Sequence, residues 1–244
     1  MADIFDDLSA EYEQLDGILT ALTPAQWAHS SAAAGWTVAD VVLHLAQSEE
    51  LAIASLAGNE GVFAAASEGR VDAVADASVA AQRQVSPADL LKRWRTATGA
   101  TPGALRARPG GTRLRWITNR ISPAALATTR LAEHWTHAQD IAGPLGVAYP
   151  DTARLRHIAW LGHRTLPYAF AIEGIDGGPV YCELTAPGGE IWRFGEPTAP
   201  SVITGPAAEF CRVGARRLAP GDSTLTATGP LGARALAILR NYAF

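Results

Sequence analysis

Three side chains of this sequence have the types needed to hold a divalent metal ion together: His44, Glu133 and His137. Two imidazoles and one carboxylate form a ligand set typical of catalytic zinc, in which the fourth position stays open for water or substrate. The same set also suits Fe(II). The residue types therefore favour zinc but do not exclude iron. A buried carboxylate is costly unless it is paired or binds a cation, and Glu133 would have two imidazoles within reach.

Helical spacing directs each of these side chains to an inward face of a predicted helix. The first stripe, at steps of three and four residues, contains Val41, His44, Ser48 and Leu51. The second stripe contains Leu126, Arg130, Glu133, His137 and Ile141. Glu133 and His137 are one turn apart and project towards the same point. Because spacing does not show that the two helices face each other, a hydrogen-bonded core histidine and a local Glu–His ion pair stay open as alternatives.

Two neighbours of this ligand set are candidate catalytic residues. Arg130 lies one turn before Glu133, where its guanidinium could bind a substrate carboxylate with two hydrogen bonds or pair with Glu133 or Asp140. Asp140 follows His137 by three residues, so it is better placed to orient a ligand than to bind the metal itself. A residue of the last helical turn with no role is an equal alternative for Asp140. Ser48, on the stripe of His44, is a candidate substrate-binding residue.

Four helices are predicted around these residues. Apolar side chains at helical steps indicate the first helix, at Leu8, Tyr12, Leu15, Leu19 and Leu22. The second begins at a capping box of Thr37 and Asp40 and runs through Leu51 towards Gly58. A long, partly helical connection over residues 58–85 leads to the third helix.

Serine followed by proline marks the start of the third and fourth helices. Ser86-Pro87 opens the third helix, which a Pro-Gly-Gly stretch at residues 109–111 ends. Ser122-Pro123 opens the fourth, and Gly143-Pro144 closes it. One long crossover and short links elsewhere favour an antiparallel four-helix bundle, which we assign to residues 1–148.

The sequence changes character near Pro150, where we place a domain boundary, and residues 149–244 are expected to form a small α+β domain. One helix is predicted from Asp151 to about Ile172. Strands are predicted at 180–185 and 190–194, as a hairpin, and at 201–204 and 223–227. The last two strands each lead into Thr-Gly-Pro and a short helix. The fold class is therefore α+β, with a helical bundle first.

Composition excludes several classes of function. The 244 residues are 48% hydrophobic and 18% charged, with a net charge of −4, which argues against a disordered chain and against nucleic-acid binding. The uncharged stretch at residues 17–39 is broken by polar residues and proline, so we expect no membrane span. The acidic N-terminus does not resemble a secretion signal, and we expect a cytoplasmic protein. Cys182 and Cys211 are predicted to be buried thiols.

Two motifs resemble the mycothiol-dependent maleylpyruvate isomerase family, which belongs to the DinB-like bundle superfamily. Residues 35–45, Gly-Trp-Thr-Val-Ala-Asp-Val-Val-Leu-His-Leu, are similar to its N-terminal signature. Residues 133–140, with the spacing Glu-x-x-x-His-x-x-Asp, are similar to its second signature. Residues 203–211 and the last helix resemble the family's smaller, sterol-carrier-like domain, so the resemblance covers most of the chain.

The resemblance implies a function as well as a fold. In the family, the corresponding side chains hold a divalent metal, usually zinc, and this role carries over to His44, Glu133 and His137. A low-molecular-weight thiol, mycothiol, is implied as the partner at the open position, where a dication keeps a thiol ionised near neutral pH. Addition of the thiolate to an electron-poor double bond, rotation and elimination would isomerise a small-molecule substrate. A thiolate that stays attached would give thiol transfer instead.

One segment departs from the family. Relatives often carry Trp-Phe-Gly-Pro-Pro-Met-Ser in a loop before the fourth helix, and residues 116–122 here read Trp-Ile-Thr-Asn-Arg-Ile-Ser. Such a loop is expected to border the metal pocket, so Asn119 and Arg120 are candidate substrate-binding residues that point to a different substrate. A thiol-independent biosynthetic enzyme, with the ion as a Lewis acid or water activator, is therefore the alternative function. A small-molecule carrier or sensor that reuses the bundle is a third hypothesis.

Overall fold

Helices dominate the first half of the chain. The computed structural model describes residues 3–64 and 71–242, and the chain divides into two compact units between Tyr149 and Pro150. The helices of the first unit are α1 (Ile4–Ala21), α2 (Pro24–Trp27), α3 (Val38–Leu56), α4 (Val71–Ala80), α5 (Pro87–Arg106) and α6 (Pro123–Leu145). The same unit contains a 3-10 turn at Glu60–Phe63 and an antiparallel hairpin of β1 (Leu114–Trp116) and β2 (Asn119–Ile121).

Side-chain caps begin the long helices at the predicted residues. Thr37 and Asp40 form the reciprocal capping box at the start of α3. The hydroxyls of Ser86 and Ser122 accept backbone amide hydrogens at the starts of α5 and α6, each with proline in the first turn. These oxygens satisfy amides that have no partner inside a helix, so the start signals in the sequence are confirmed.

The predicted four-helix bundle is formed by α1, α3, α5 and α6. Helix α3 packs on α5 and α6, and α1 packs on the same two helices. Fully buried apolar side chains from all four helices fill the space between them: Leu8, Leu15, Leu19, Leu45, Leu90, Trp94, Leu105, Leu126 and Leu131. Burial of this apolar surface provides the main driving force for the packing. Polar side chains on the inward stripes must therefore find partners within the core.

Helix α6 is longer than the sequence predicts. It continues through Gly143 and Pro144 to Leu145 and ends at Gly146, which adopts a left-handed conformation with φ of 64°. Pro144 lies in the last turn and has no amide hydrogen to donate to the carbonyl of Asp140. That carbonyl instead accepts the amide hydrogen of Ala32 at 2.9 Å. This hydrogen bond joins the segment before α3 to the end of α6, and it is possible because Pro144 leaves the carbonyl of Asp140 free.

Residues 114–121 form a β-hairpin, whereas the sequence predicted a loop just before α6. The register pairs Leu114 with Ile121 and Trp116 with Asn119. Two residues connect the strands. Each strand has only three residues, so the alternation of apolar and polar side chains before Ser122 is too short to predict a strand. Asn119 and Arg120 are therefore strand residues.

The second unit combines helices with one mixed sheet, which confirms the α+β class. Its elements are α7 (Leu155–Arg164), α8 (Leu166–Ile172), β3 (Val180–Thr185), β4 (Ile191–Phe194), β5 (Ser201–Pro206), α9 (Ala207–Gly214), β6 (Thr226–Thr228) and α10 (Gly232–Ile238), with a 3-10 turn at Pro220–Asp222. The strand order is β4-β3-β5-β6. Strands β3 and β4 form the predicted antiparallel hairpin, β3 and β5 are parallel, and β5 and β6 are antiparallel.

Two details of this unit differ from the prediction. The single helix expected from Asp151 to Ile172 is two helices, because Pro167 cannot donate a hydrogen bond to the carbonyl of His163 and a new helix begins after Thr165. Strand β5 is longer than expected, and β6 is shorter and begins later. Cys182 and Cys211 are buried free thiols, as predicted, and burial raises the pKa of Cys182 to about 12.

None of the helices within the described ranges has both the length and the hydropathy of a membrane-spanning segment. The uncharged stretch at residues 17–39 is divided among the end of α1, the short helix α2 and the segment before α3. It supplies the approach to the helix that carries His44.

Candidate metal centre

The structure brings His44, Glu133 and His137 together in the bundle. His44 lies on α3, and the other two lie one turn apart on α6. Nε2 of His44 is 2.8 Å from Oε1 of Glu133, and Nε2 of His137 is 3.7 Å from the same oxygen. One ligand atom from each residue lies within 4.8 Å of the others. This donor set suits a divalent ion of the zinc type, with three protein ligands from two helices.

The three side chains, which we call the outer cluster, are partly shielded from solvent. Their exposed fractions are 16% for His44, 31% for Glu133 and 13% for His137. Burial raises the pKa of Glu133, but the close approach of His137, the hydrogen bond with His44 and the charge of Arg130 outweigh it, so this pKa lies well below its usual range. Glu133 is therefore an ionised carboxylate at neutral pH.

The two histidines of the outer cluster differ in charge. Burial lowers the pKa of His137, but its hydrogen bond to Asp140 and the nearby carboxylate of Glu133 outweigh burial and raise the pKa to about 9. Burial lowers the pKa of His44 by more than the hydrogen bond to Glu133 raises it. Without a metal, His137 therefore carries the proton that balances Glu133. A metal ion that binds here must displace this proton.

Asp140 contacts His137 at the ring nitrogen that does not face Glu133. Nδ1–H of His137 donates to Oδ2 of Asp140 at 2.9 Å, and the Asp140 side chain is fully buried. A carboxylate at Nδ1 fixes the ring orientation of a metal-binding histidine and leaves Nε2 for the ion. The backbone carbonyl of Asp140 binds Ala32, so both polar groups of this residue have partners.

Trp36 covers one side of the two imidazoles. Its ring centroid lies 5.0 Å from that of His44 and 6.3 Å from that of His137, nearly parallel to the latter. The indole Nε1–H donates to Oδ1 of Asp76 on α4 at 2.9 Å, which fixes the ring. The sequence analysis gave Trp36 no role, because it precedes the N-cap of α3 and helical spacing does not reach it.

Arg130 lies deeper in the bundle than the sequence analysis assumed. Its side chain is 4% exposed, and its guanidinium lies over the ring of Trp116 at 4.5 Å. Nη1 is 3.9 Å from Oε1 of Glu49, and Nη2 is 4.0 Å from Oε2 of Glu133. Pairing with Glu133, one of the partners suggested for Arg130 from the sequence, is therefore present. The contact with Glu49 was not expected.

Glu49 is the polar residue that sequence reasoning missed. It is fully buried on α3, and burial raises the pKa of its carboxyl group while Arg130 opposes the rise. A signal was present, since Leu45, Glu49, Ala52 and Leu56 form a stripe at steps of four and three with one acid among apolar residues. An acid in such a stripe needs a partner in the core.

His134 lies between the predicted ligands on α6, but both of its ring nitrogens have partners in the core. The indole Nε1–H of Trp94 donates to Nε2 of His134 at 3.1 Å. Because an indole nitrogen only donates, Nε2 must be unprotonated, and Nδ1–H then donates to the carbonyl of Arg130 at 3.0 Å. Burial, followed by the charge of Arg130, lowers the pKa of His134 to about 3. We call Glu49, Arg130 and His134 the inner cluster.

The three predicted substrate-binding residues make contacts elsewhere. Ser48 is buried, and its hydroxyl donates to the carbonyl of Leu45 in its own helix. The exposed Arg120 pairs with Glu60 at 2.5 Å, and the side-chain amide of Asn119 donates to the hydroxyl of Thr118. These contacts do not involve the outer cluster, so a role in substrate binding stays a prediction for all three.

A four-helix bundle with two histidines and a glutamate in contact, followed in the chain by an α+β unit, defines a recognisable class of protein. The family model of the mycothiol maleylpyruvate isomerase N-terminal domain matches residues 8–142. The chain belongs to this family, as the two motifs predict.

Relatives and solved structures extend the likeness over nearly the whole chain. Two uncharacterized proteins of Mycobacterium tuberculosis, from strains CDC 1551 / Oshkosh and ATCC 25618 / H37Rv, are each 36% identical over 242 residues, covering 97% of this chain and 94% of theirs. The crystal structure of the mycothiol-dependent maleylpyruvate isomerase matches with a TM-score of 0.61 at 16% identity, over 93% of this chain and 96% of that one. A histidine-to-alanine mutant of that enzyme matches with a TM-score of 0.60 at 15% identity and the same coverage. The two crystal structures share the fold of this chain.

Proposed function

We propose that this protein is a divalent-metal-dependent isomerase that uses a small thiol, and that zinc is the metal. The observation that carries the proposal is the meeting of three donors, Nε2 of His44, Oε1 of Glu133 and Nε2 of His137, within 4.8 Å. These atoms would hold the ion. When bound, zinc lowers the pKa of a coordinated thiol, so that a thiolate exists near neutral pH.

The surrounding residues prepare these donors. Asp140 holds the proton on Nδ1 of His137, which keeps the lone pair of Nε2 directed at the cluster. Glu133 supplies one negative charge to balance the cation. Trp36 shields the two imidazoles from water on one side, which strengthens the electrostatic interactions of the cluster.

Mycothiol is the thiol that the family and its solved structures support, and a conjugated carboxylate of the maleylpyruvate type is the corresponding substrate class. Isomerisation about a double bond needs no change of oxidation state, which agrees with a metal such as zinc that has no redox chemistry. A sterol-carrier-like character of the second unit stays a prediction from the sequence.

The test is turnover of maleylpyruvate by zinc-loaded protein, with the cis and trans isomers distinguished by proton NMR. We expect isomerisation only with mycothiol present, and loss of turnover in Glu133→Gln. Glu50→Gln is the matched control, because Glu50 is a neighbouring acid on α3 that pairs with Arg93 outside the cluster. No turnover by folded, zinc-loaded protein with mycothiol would contradict the proposal. Turnover that needs zinc but not the thiol would favour the thiol-independent alternative.

A further inference from the structure

The two oxygens of Glu133 have different neighbours. Oε1 lies 2.8 Å from His44 and 3.7 Å from His137, whereas Oε2 lies 4.0 Å from Nη2 of Arg130. The carboxylate therefore lies between the imidazoles and the guanidinium. The terminal torsion of a glutamate is broad, and a quarter turn about it would direct both oxygens away from the imidazoles, so a restraint on the carboxylate plane favours a ligand geometry.

Arg130 lies between two carboxyl groups, at 3.9 Å from Glu49 and 4.0 Å from Glu133. Glu49 is fully buried, and the ring of Trp116 lies against the guanidinium. Without Glu49, the guanidinium would be free to move onto Glu133 and form a direct two-bonded ion pair. Such a pair would compete with a metal ion for the carboxylate. Glu49 would thus keep Arg130 from closing on Glu133.

The geometry of this pair is poor for stabilising the fold. Within residues 3–64 and 71–242, neither oxygen of Glu49 makes a hydrogen bond of normal geometry, and the same holds for Nε and Nη1 of Arg130. Buried ion pairs with incomplete hydrogen bonding are often replaced by apolar residues without loss of stability. A contribution to stability alone is therefore a weak explanation for the pair.

We propose that Glu49 and Arg130 are positioning residues that direct Oε1 of Glu133 towards the two imidazoles. This inference rests on the proposed metal-binding function, and it assigns Arg130 to Glu133 rather than to a substrate carboxylate. Partners that orient a metal ligand in this way typically contribute about 10- to 100-fold to metal affinity.

The test is the double variant Glu49→Leu/Arg130→Met. It removes the buried carboxyl group and the guanidinium together, and a change in zinc affinity reports the orientation of Glu133. No uncompensated buried charge remains. We expect the metal-free variant to unfold at the wild-type temperature or above, and to bind zinc about 10- to 100-fold more weakly in competition with a chromophoric chelator.

Thr98→Val is the matched control, because Thr98 is a buried polar residue of α5 whose hydroxyl donates to the carbonyl of Trp94. Its zinc affinity should equal that of the wild type. If the double variant does not fold, Arg130→Lys serves instead: it keeps the charge but lacks the planar fork that faces both carboxyl groups, and about 10-fold weaker binding is expected.

The results separate this inference from the proposed function. Zinc binding by the wild-type protein tests the function. Zinc affinity within twofold of the wild type in a folded double variant, or in folded Arg130→Lys, would overturn the inference while leaving the metal site intact.

Discussion

His134 and His137 lie three residues apart on α6, and both are shielded from solvent, yet their ring nitrogens are used in opposite ways. The pKa of His137 is raised to about 9 and that of His134 is lowered to about 3. Burial lowers the pKa of both. The difference arises from their partners, since Asp140 and Glu133 surround His137 with negative charge, whereas His134 accepts from Trp94 and lies beside Arg130.

The outer and inner clusters differ in the same way as these two histidines. In the outer cluster, three donors converge and a protonated histidine balances Glu133, so a cation can replace the proton. In the inner cluster, Arg130 already supplies the cation, and both nitrogens of His134 are engaged. The two clusters, each formed by residues of α3 and α6, therefore differ in their capacity to bind a metal ion.

The largest effect is expected for His137→Ala, which removes a proposed metal ligand. Zinc affinity should fall by well over 100-fold, more than the loss of an orienting partner causes. Isothermal titration of the metal-free proteins with zinc would measure it. A His137→Ala protein that is folded and binds zinc as the wild type does would show that the outer cluster is not the site.

His134→Ala should produce the opposite pattern. The change leaves the Trp94 Nε1–H without its acceptor and creates a cavity, which together should lower the free energy of unfolding by about 4 kcal/mol. Urea denaturation would measure the loss. Zinc binding should persist at temperatures where the variant is folded. Wild-type stability would contradict the tautomer and the contacts assigned to His134.

The stability of the metal-free protein should fall on both sides of pH 6.5, which is the ordinary pKa of a histidine in an unfolded chain. His137 causes the loss at higher pH, and His134 causes the loss at lower pH. The raised pKa of His137 adds stability that is fully present below pH 6.5 and is lost as the pH rises to about 9, by about 3 kcal/mol. The lowered pKa of His134 adds stability that is present above pH 6.5 and is lost as the pH falls towards 3.

Denaturant titrations across this pH range would test both limbs. His137→Gln should flatten the alkaline limb and leave the acidic one. An alkaline limb that is identical in His137→Gln and in the wild type would contradict the charge assigned to His137.

A smaller effect is expected for Asp140→Asn. The amide oxygen of asparagine can still accept from Nδ1–H of His137, but the negative charge behind the ring is lost. Zinc affinity should fall by about 10-fold, and the alkaline limb of the stability profile should move to lower pH. Isothermal titration with zinc would measure the affinity, and denaturant titrations across the pH range would measure the profile. An unaltered affinity together with an unaltered profile would show that Asp140 has no role in orienting His137.

Local signals in the sequence predicted the helix starts well, because a cap involves only a few neighbouring residues. Thr37, Ser86 and Ser122 cap helices at the expected positions. Helix ends were harder to predict. Pro144 lies within α6 because Ala32, more than 100 residues away in the chain, supplies the partner for the carbonyl that proline leaves free. A contact so distant in the chain has no local signal.

The same limit applies to the candidate site. Helical spacing placed His44, Glu133 and His137 on inward stripes, but only the packing of α3 on α6 brings them together. Glu49 could have been predicted as a buried residue, because it is the one acid in an otherwise apolar helical stripe. Trp36 lies within the first motif, but its place beside the imidazoles could not be predicted, because its hydrogen bond to Asp76 of α4 fixes the ring.

The central claim is that the outer cluster binds one metal ion, and elemental analysis of zinc-titrated protein after removal of free metal tests it most directly. We expect about one zinc ion per chain in the wild type, and none retained in His44→Ala that is folded by circular dichroism. Wild-type protein that retains no zinc, or His44→Ala that retains as much as the wild type, would contradict it.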